Sequence, residues 1–437
     1  MAGGFRTDLT IAGRNLLQHT RRNLFLGGAL AMVTLLFALL NGLSTGVKET
    51  MVRTATTLET GHVNVGGFFK ITSGQSAPVV THYQKVLDAI RKEVPELDYV
   101  SIRGRGWAKA VSDTATTMSG IGGIDITREP GFRKVVQVET GNLDDMAHPG
   151  TLLLFRVQAD KLGVKVGDTV TLSAPTSRGV NNVIDVRVAV IAKNVGLLGQ
   201  WNVFIHEASL RQLYQINDDA TSVLMLHLKR IDDMGPVAER LRGSLAKAGW
   251  KIMEYDPVVF WMKFDKVNRE AWTGQKLDIT TWKDELSFFM WVLTALDALT
   301  AILITILLII VVVGIMNTMW IAIRERTREI GTLRAIGMQR RQVLRLFLLE
   351  ALLLGLAGTV AGAVLAALLG TTVNALKIPV PDAVQLFLMS DHLFFAIHPA
   401  GLVKAILGIT LVTGLAALYP SLRAARLKPV VAMGHAG

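Results

Sequence analysis

Cysteine is absent from the 437 residues of this chain, which excludes a disulfide, a thiolate metal site and a lipid-modified cysteine. The chain also lacks the G-x-x-x-x-G-K-S/T loop that cradles ATP phosphates and the H-E-x-x-H motif of zinc hydrolases. No motif for binding DNA or RNA is present, although the formal net charge is +11. The sequence therefore predicts no catalytic residue, no metal site, no cofactor bound by this chain and no nucleic-acid partner.

Charge is missing from four long stretches of a chain that is 50% hydrophobic. These stretches are 23–47, 298–323, 351–376 and 405–422. A helix rises about 1.5 Å per residue, so about 20 apolar residues cross a bilayer. The pattern predicts four transmembrane helices. The first stretch is too long for the apolar part of a typical signal peptide and indicates an uncleaved anchor.

Basic residues flank these stretches unequally. They precede the first stretch, recur throughout 324–345 and follow the fourth, whereas Lys377 and Lys404 are the basic residues between the third and fourth. Positive charge stays on the cytoplasmic side of a membrane. The sequence therefore predicts that both termini are cytoplasmic and that the long insert 48–286 lies outside.

The insert has the mixed composition of a globular domain. Apolar spacing in 48–111 and in 221–286 predicts two β-α-β units that flank a strand-rich piece, 112–220. The expected architecture is a split α+β subdomain with a second subdomain inserted. Further predicted elements of the insert are strands at 99–102, 107–111, 135–138 and 250–253. A juxtamembrane helix with interfacial tryptophans is predicted at 256–284.

A few residues suggest other functions, but each of these patterns has a simpler explanation. Residues 42–46 match G-x-S-x-G, but they close an apolar stretch and do not follow a strand. Asp144, Asp145 and His148 are a conceivable metal cluster, and an exposed acidic turn explains them better. Asp297 lies near the outer end of the second apolar stretch, where it can reach water.

A short charged segment, 324–337, separates the second and third apolar stretches. Its apolar residues recur at helical spacing, which predicts an amphipathic helix. The expected apolar face consists of Ile323, Thr327, Ile330 and Leu333. Two readings of this helix stay open, a solvated loop and a docking element for a cytoplasmic partner.

Local chemistry adds detail to this helix. Glu325 can pair with Arg328, and Arg326 with Glu329, because residues three apart are neighbours on a helix. Gly337 is the expected stop, since glycine adopts the left-handed conformation at a helix end without strain.

Small residues form a stripe on the third apolar stretch. Gly355, Gly358, Gly362 and Gly370 recur at helical spacing and include a G-x-x-x-G pattern. Such stripes let transmembrane helices approach closely, so these glycines are predicted packing positions.

The run Met-Asn-Thr-Met at 316–319 and the segment Arg-Thr-Arg-Glu-Ile-Gly-Thr-Leu-Arg-Ala-Ile-Gly-Met at 326–338 resemble the signature of FtsX-like ABC transporter permeases. These include the MacB type and the lipoprotein-releasing LolC and LolE type. Residues 161–170 resemble a turn of the MacB-like periplasmic core domain, and 419–430 resemble the C-terminal ending of the family.

The resemblance implies that the charged segment is a coupling helix that sits on an ATPase. The implied ATPase-coupling residues are Glu325, Arg326, Arg328, Glu329, Ile330, Gly331, Leu333, Arg334 and Gly337. The implied partners are two copies of an ABC ATPase that binds ATP and magnesium, a second permease copy or paralogue, membrane lipids, and a periplasmic carrier or adaptor. The implied location is the bacterial inner membrane.

The expected fold is an α-helical membrane protein with four transmembrane helices and a large α+β extracytoplasmic domain of two subdomains. The first functional choice is a permease subunit for lipoprotein release. The alternatives are MacB-like efflux of peptides or lipophilic compounds, an FtsX-like regulator of extracellular hydrolases, and a receptor without an ATPase. The expected segments are a cytoplasmic amphipathic segment 1–22, helix 23–47, outer domain 48–286, helix 287–320, coupling helix 321–338, helix 342–376, external loop 377–400, helix 401–422 and cytoplasmic tail 423–437.

Overall fold

The computed structural model describes residues 2–18, 20–72, 75–176, 179–287, 290–381, 385 and 388–426. The chain divides into two compact units, which are described separately. The helical unit comprises Met1–Lys48, Thr294–Pro379 and Leu393–Gly437, and the sheet unit comprises Glu49–Leu293 and Val380–His392.

The helices differ widely in length. They are α1 (Ala2–Gln18), α2 (Thr20–Ala55), α3 (Tyr83–Glu93), α4 (Phe132–Val135), α5 (Arg156–Leu162), α6 (Glu207–Tyr214), α7 (Met234–Lys247), α8 (Phe264–Arg269), α9 (Trp282–Glu285), α10 (Met290–Glu325), α11 (Thr327–Ala335), α12 (Arg340–Leu376) and α13 (Pro399–Ala425). Within the described residues, α2, α10, α12 and α13 are long and apolar enough to cross a membrane.

The strands belong to the sheet unit. They are β1 (Val63–Thr72), β2 (Gln75–Ala77), β3 (Val80–Thr81), β4 (Leu97–Val111), β5 (Thr116–Ile124), β6 (Val138–Gly141), β7 (Thr151–Phe155), β8 (Thr169–Pro175), β9 (Asn181–Ala192), β10 (Asn202–His206), β11 (Ala220–Thr221), β12 (Val223–Leu228) and β13 (Gly274–Thr281). The expected fold class, four apolar helices plus a mixed α and β domain, is confirmed.

The long helices extend beyond the charge-free stretches. Helix α2 runs from Thr20 to Ala55 around the predicted 23–47, and α10 continues to Glu325. A charged side chain ends the apolar stretch but not the helix. Where water solvates that side chain, the backbone hydrogen bonds of the helix continue past it. The expected segment 1–22 contains α1 and the first residues of α2.

The core of the helical unit consists of inward residues from the long helices. Leu30 of α2, Ile315 of α10, Phe347 of α12 and Ala417 of α13 belong to one buried cluster. Polar groups also meet inside this unit, where the hydroxyls of Thr359 and Thr410 lie 3.1 Å apart.

The sheet unit is built on one continuous sheet. Its strand order is β13-β1-β12-β4-β5-β10-β7-β9-β6, with β2 beside β1 and β8 beside β4 and β9. Helices α3 and α7 cover the β1-β12-β13 end, where Val65, Leu226 and Leu241 share a buried core. Helices α5 and α6 pack at the other end with Leu152, Val170 and other apolar residues.

Strand β4 joins the two ends of the sheet. Residues 97–103 pair with β12, and 104–111 pair with β5. The sequence predicted two strands, 99–102 and 107–111, because the run Arg-Gly-Arg-Gly between them is typical of a loop. The glycines serve packing instead: a Cβ on Gly104 would lie 2.3 Å from the side chain of Leu210 on α6, and one on Gly106 would meet Tyr214.

Three local predictions were wrong. Residues 135–138 are the end of α4 followed by the start of β6, and 250–253 contain only a bridge between Ile252 and Leu277. Residues 256–284 form α8, strand β13 and α9 in place of a long helix. Pairing of β13 with β1 overrides local helix preference there, because its apolar residues Leu277 and Ile279 are buried in the sheet core.

Part of the loop between α12 and α13 belongs to the sheet unit. Asp391 accepts hydrogen bonds from Lys193 at 3.2 Å and from Gln137 at 3.3 Å. The loop is therefore tied to the residues that follow β9 and precede β6.

Candidate coupling site

The predicted coupling segment is a short helix with a sharp boundary at each end. Helix α10 ends at Glu325, and Arg326 adopts a non-helical conformation before α11 begins at Thr327. At the other end Gly337 has φ +112°, its N–H donates to the carbonyl of Arg334, and the N–H of Met338 donates to that of Leu333. These two bonds satisfy carbonyls at the helix end, and they confirm Gly337 as the stop.

Arg326 is the polar centre of the site. Its Nη1 donates to both carboxylate oxygens of Glu350 on α12, at 3.0 Å each, and its Nε donates to Glu329 at 3.0 Å. The predicted pair of Arg326 with Glu329 is thus confirmed. Glu350 also accepts from the Nδ2 of Asn15 on α1 at 2.5 Å. One buried arginine therefore connects α11 to α12, and Glu350 connects both to α1.

Glu350 and Asn15 were missed by sequence reasoning. Glu350 lies 24 residues from Arg326 and 335 residues from Asn15, beyond the reach of any local spacing rule. A usable signal existed, because Glu350 is a single carboxylate immediately before the charge-free stretch 351–376. A carboxylate at such a position commonly has a basic partner.

The predicted site residues divide between the inside and the outside of the helical unit. Arg326, Ile330 and Gly331 are buried, and Arg334 donates to the backbone carbonyl of Ala425 at 2.7 Å. The exposed residues of the predicted set are Glu325, Arg328, Glu329, Leu333 and Gly337.

The expected apolar face is not one surface. Ile323 and Ile330 belong to the buried core of the helical unit, where Ile330 is 3% exposed, whereas Leu333 is exposed. Ile336, which the sequence did not single out as a site residue, is 80% exposed. The apolar groups available to a partner therefore lie at the C-terminal end of α11.

An open depression adjoins these residues. Its volume is about 440 Å³, and its lining includes Ile11 and Asn15 of α1, Glu329 and Leu333 of α11, and Leu346 of α12. The depression combines a carboxylate, an amide and apolar side chains, which is the mixture found at protein–protein contacts.

The glycine stripe of α12 lies against other helices. A Cβ on Gly358 would be 2.8 Å from the carbonyl oxygen of Gly27 on α2, and one on Gly362 would overlap the carbonyl of Ala31. A Cβ on Gly355 would be 2.9 Å from Thr413 of α13. A Cβ on Gly370 would overlap the side chain of Ile397. All four predicted packing glycines thus lie at close helix or loop contacts.

The other candidate residues are engaged in ordinary contacts. Asp144 pairs with Arg133 at 2.6 Å, and the described residues include no group of three or more potential metal ligands. Asp297 pairs with Lys48 within the helical unit. Residues 42–46 lie inside helix α2, so they do not form a nucleophile elbow.

Residues 301–429 match the family described as FtsX-like permease C-terminal. This part of the chain, which contains α11, α12 and α13, is similar to that family.

Curated relatives match over the same region. The pyoverdine export ATP-binding/permease protein PvdT of Pseudomonas syringae pv. tomato is 38% identical over 125 residues, which are 28% of this chain and 16% of that protein. The macrolide export ATP-binding/permease protein MacB of Nitrobacter winogradskyi is 37% identical over 123 residues, 28% of this chain and 17% of that protein. The match thus spans about a sixth of the length of these relatives and covers their permease region.

Two solved structures resemble the chain at low scores. The extracellular domain of the ABC-type transporter YknZ from Gram-positive bacteria has a TM-score of 0.30 at 14% identity and covers 42% of this chain and 95% of its own. The periplasmic region of MacB from Actinobacillus actinomycetemcomitans has a TM-score of 0.26 at 9% identity and covers 43% of this chain and 88% of its own. The fold described above rests on the helices and strands of this chain.

Proposed function

We propose that this chain is the membrane subunit of an ABC transporter and converts ATP hydrolysis by a partner ATPase into motion of the sheet unit. The observation that carries this proposal is the setting of α11, a short helix with exposed Glu329, Leu333 and Ile336 whose base is fixed to α12 through Arg326 and Glu350. ATP and magnesium would be bound by the ATPase.

The buried ion pair explains how a small helix could transmit force. Arg326 and Glu350 are both largely removed from water, and breaking such a pair leaves a buried charge without its partner. A displacement of α11 is therefore cheaper if α12 moves with it. Asn15 brings α1 into the same polar group.

The proposed assembly has two copies of the ATPase and two permease chains, identical or paralogous. Its first test is purification of the tagged chain from native membranes, followed by mass spectrometry of bound proteins. Recovery of one ABC ATPase in an amount equal to the permease chains is the expected result. Purification of the intact chain without any ATPase would favour the receptor alternative.

The proposed orientation places α11 and both termini in the cytoplasm of a bacterium and the sheet unit outside the inner membrane. Because the chain has no cysteine, single cysteines can report access to a membrane-impermeant maleimide without background. Glu254→Cys should be labelled in cells with a permeable outer envelope, and Thr332→Cys only after lysis. Labelling of Thr332→Cys before lysis would reverse the proposed orientation. Ser177 and Asp382, the tag positions that the sequence suggests, lie outside the described residues.

The substrate has two candidate classes. Lipoprotein release follows from the resemblance of the chain to the LolC and LolE type, with a periplasmic carrier as acceptor. Export of a peptide or lipophilic compound is favoured by the matched relatives, whose names describe pyoverdine and macrolide export. Lipids that co-purify with the complex would distinguish them, because a triacylated peptide supports the first class and a small lipophilic compound the second.

A further inference from the structure

The sheet unit contains a cavity at the point where β4 changes its neighbour from β12 to β5. Its volume is about 360 Å³. Small-molecule sites in proteins commonly enclose about 300–1,000 Å³. One side of the cavity is the face of the β4–β5 ladder on which Arg105 lies opposite Gly122 and Trp107 opposite Gly120.

Glycine shapes this face. A Cβ on Gly122 would lie 2.6 Å from the ring of Phe204, and one on Gly120 would lie 2.5 Å from the amide oxygen of Asn202. These two side chains of the β10 region therefore rest directly on the sheet backbone. The space beside them stays open because neither glycine contributes a side chain to it.

Aromatic rings supply part of the remaining wall. The rings of Trp107 and Trp261 meet edge to face with centroids 6.5 Å apart, and Trp261 meets Phe260 in the same way at 5.4 Å. Trp107 is 42% exposed, and Trp201 on the opposite side is also exposed. Large rings left in contact with water beside a cavity are a favourable surface for an apolar ligand.

The charged groups that line the cavity have partners in the protein. Arg103 makes a two-bond pair with Glu129, at 2.7 and 2.5 Å, and donates to backbone carbonyls of the turn Thr56–Thr60. Arg105 pairs with Glu285 at 3.2 Å, and Glu59 accepts a hydrogen bond from Asn202. An ion entering the cavity would have to compete with these pairs, which favours an uncharged ligand.

Among the described residues that line the cavity, Arg105 has a buried side-chain atom without a hydrogen-bond acceptor. The Nε of Arg105 is buried, while the guanidinium lies 3.7 Å from the ring centroid of Phe260. A buried donor without an acceptor costs free energy. The Arg105 side chain as a whole is 14% exposed, so a ligand oxygen can reach its guanidinium.

We propose that this cavity binds an uncharged lipophilic molecule through its apolar body, with one acceptor oxygen, such as an ester or ketone carbonyl, directed at the guanidinium of Arg105. The molecule is either an acyl chain of a bilayer lipid or a free lipophilic compound, which share this chemistry. Binding needs neither ATP nor an ATPase, so it is tested separately from the proposed transport function.

The experiment uses the full chain in lipid nanodiscs and two photoactivatable probes. One probe is a phosphatidylcholine with a diazirine in its acyl chain, incorporated in the bilayer. The other is the methyl ester of a diazirine-bearing lauric acid, added from solution. Peptides labelled after illumination are identified by mass spectrometry, with attention to residues 103–107, 120–122, 198–204 and 260–262.

Saturable labelling of these peptides by either probe is the expected result, and the probe that labels identifies the source of the ligand. Met262→Trp should reduce the labelling at least fivefold, because Met262 lines the cavity and is 56% exposed, so a larger side chain can narrow the entrance without disturbing a core. The matched control is Met118→Trp, at a 65% exposed position of β5 that does not line the cavity, and it should label as the wild type does.

Three results would overturn the proposal. Absence of saturable labelling at these peptides with both probes would exclude the site, as would equal labelling of the Met262→Trp and wild-type chains. If the free diazirine-bearing lauric acid at pH 8 labels these peptides saturably and as strongly as its methyl ester does, the uncharged ligand class is rejected. Circular dichroism spectra of the variants, expected to match the wild type, exclude unfolding as the cause of lost labelling.

Discussion

Arg326 and Glu350 show how a single pair can determine the behaviour of a helix. We expect Glu350→Ala to lower the stability of the helical unit by about 3–5 kcal/mol, because it leaves the guanidinium of Arg326 buried without its two-oxygen partner. Thermal unfolding in nanodiscs measures the change. The matched control is Glu329→Ala, which removes the exposed carboxylate on the same arginine and should cost less than about 1 kcal/mol. Equal losses in the two variants would show that Glu350 has no special structural role.

Because of the buried His227, we expect the stability of the sheet unit to depend on pH. Burial lowers the pKa of His227 to about 3, with smaller contributions from His62 and Arg103, and its ring is stacked on Tyr99 at 4.2 Å. The unfolded chain, with a histidine pKa near 6.5, binds a proton first as the pH falls. The stability that His227 contributes is therefore present above about pH 6.5 and lost progressively toward pH 3, by at most about 1.4 kcal/mol per pH unit.

His227→Phe removes this titration and keeps an aromatic ring beside Tyr99. We expect the melting temperature of the variant to fall less steeply between pH 6.5 and 4 than that of the wild type. His62, whose pKa burial also lowers and whose ring lies 5.4 Å from that of His227, remains in the variant and keeps part of the pH dependence there. Parallel pH profiles would mean that His227 is not protonated preferentially in the unfolded chain.

At the scale of elements, the small-residue stripe of α12 gives the clearest prediction. Gly358→Leu should separate α12 from α2, because the new Cβ would lie 2.8 Å from a backbone oxygen of Gly27, which cannot rotate away as a side chain can. Loss of folded chain on size-exclusion chromatography and faster hydrogen exchange in α2 measure the effect. Gly408→Leu on α13, where no atom lies within 4 Å of the added Cβ, is the control and should behave as the wild type. Wild-type assembly of Gly358→Leu would reject the packing role.

The elements that sequence reasoning found are those whose pattern is local. Apolar stretches free of charge identify α2, α10, α12 and α13, and the regular spacing of apolar residues identifies α3 and α7, which the structure contains at Tyr83–Glu93 and Met234–Lys247. Strand β13 was missed because its strand conformation depends on pairing with β1, more than 200 residues away. The continuity of β4 through Arg103–Gly106 depends on Leu210 and Tyr214 filling the space above two glycines, which no local rule shows.

In the coupling site, too, the features with a local sequence pattern could be predicted, and those that depend on distant contacts could not. The existence, end and exposed charges of α11 could be predicted from helical spacing and from Gly337. The division of its apolar residues into buried Ile330 and exposed Ile336 could not, because it depends on which side of α11 the neighbouring helices occupy. Glu350 was missed for the same reason. Substitutions chosen from the helical pattern alone would therefore mix stability effects with partner effects.

At the scale of the whole molecule, the proposed transport depends on contact between α11 and an ATPase. A variant that tests this contact must weaken it without lowering the stability of the chain itself. Ile336→Asp changes a side chain that is 80% exposed, so it should leave the thermal stability unchanged while weakening ATPase capture at least tenfold, or about 1.4 kcal/mol. Glu329→Lys should also weaken capture, because it reverses an exposed charge at the same surface, and it should lower the thermal stability because the new ammonium lies beside Arg326. Capture of the ATPase by the tagged chain and ATP turnover in nanodiscs are the measurements.

Ile330→Asp serves as the contrasting variant, because it places a carboxylate in the core of the helical unit and should lower thermal stability before any effect on the partner. The matched control for Ile336→Asp is Val166→Asp, an exposed apolar residue of the sheet unit, which should bind and stimulate the ATPase normally. If Ile336→Asp and Glu329→Lys retain wild-type capture and turnover, α11 is a solvated connection between α10 and α12. Force would then have to reach the sheet unit by a route that does not begin at this helix.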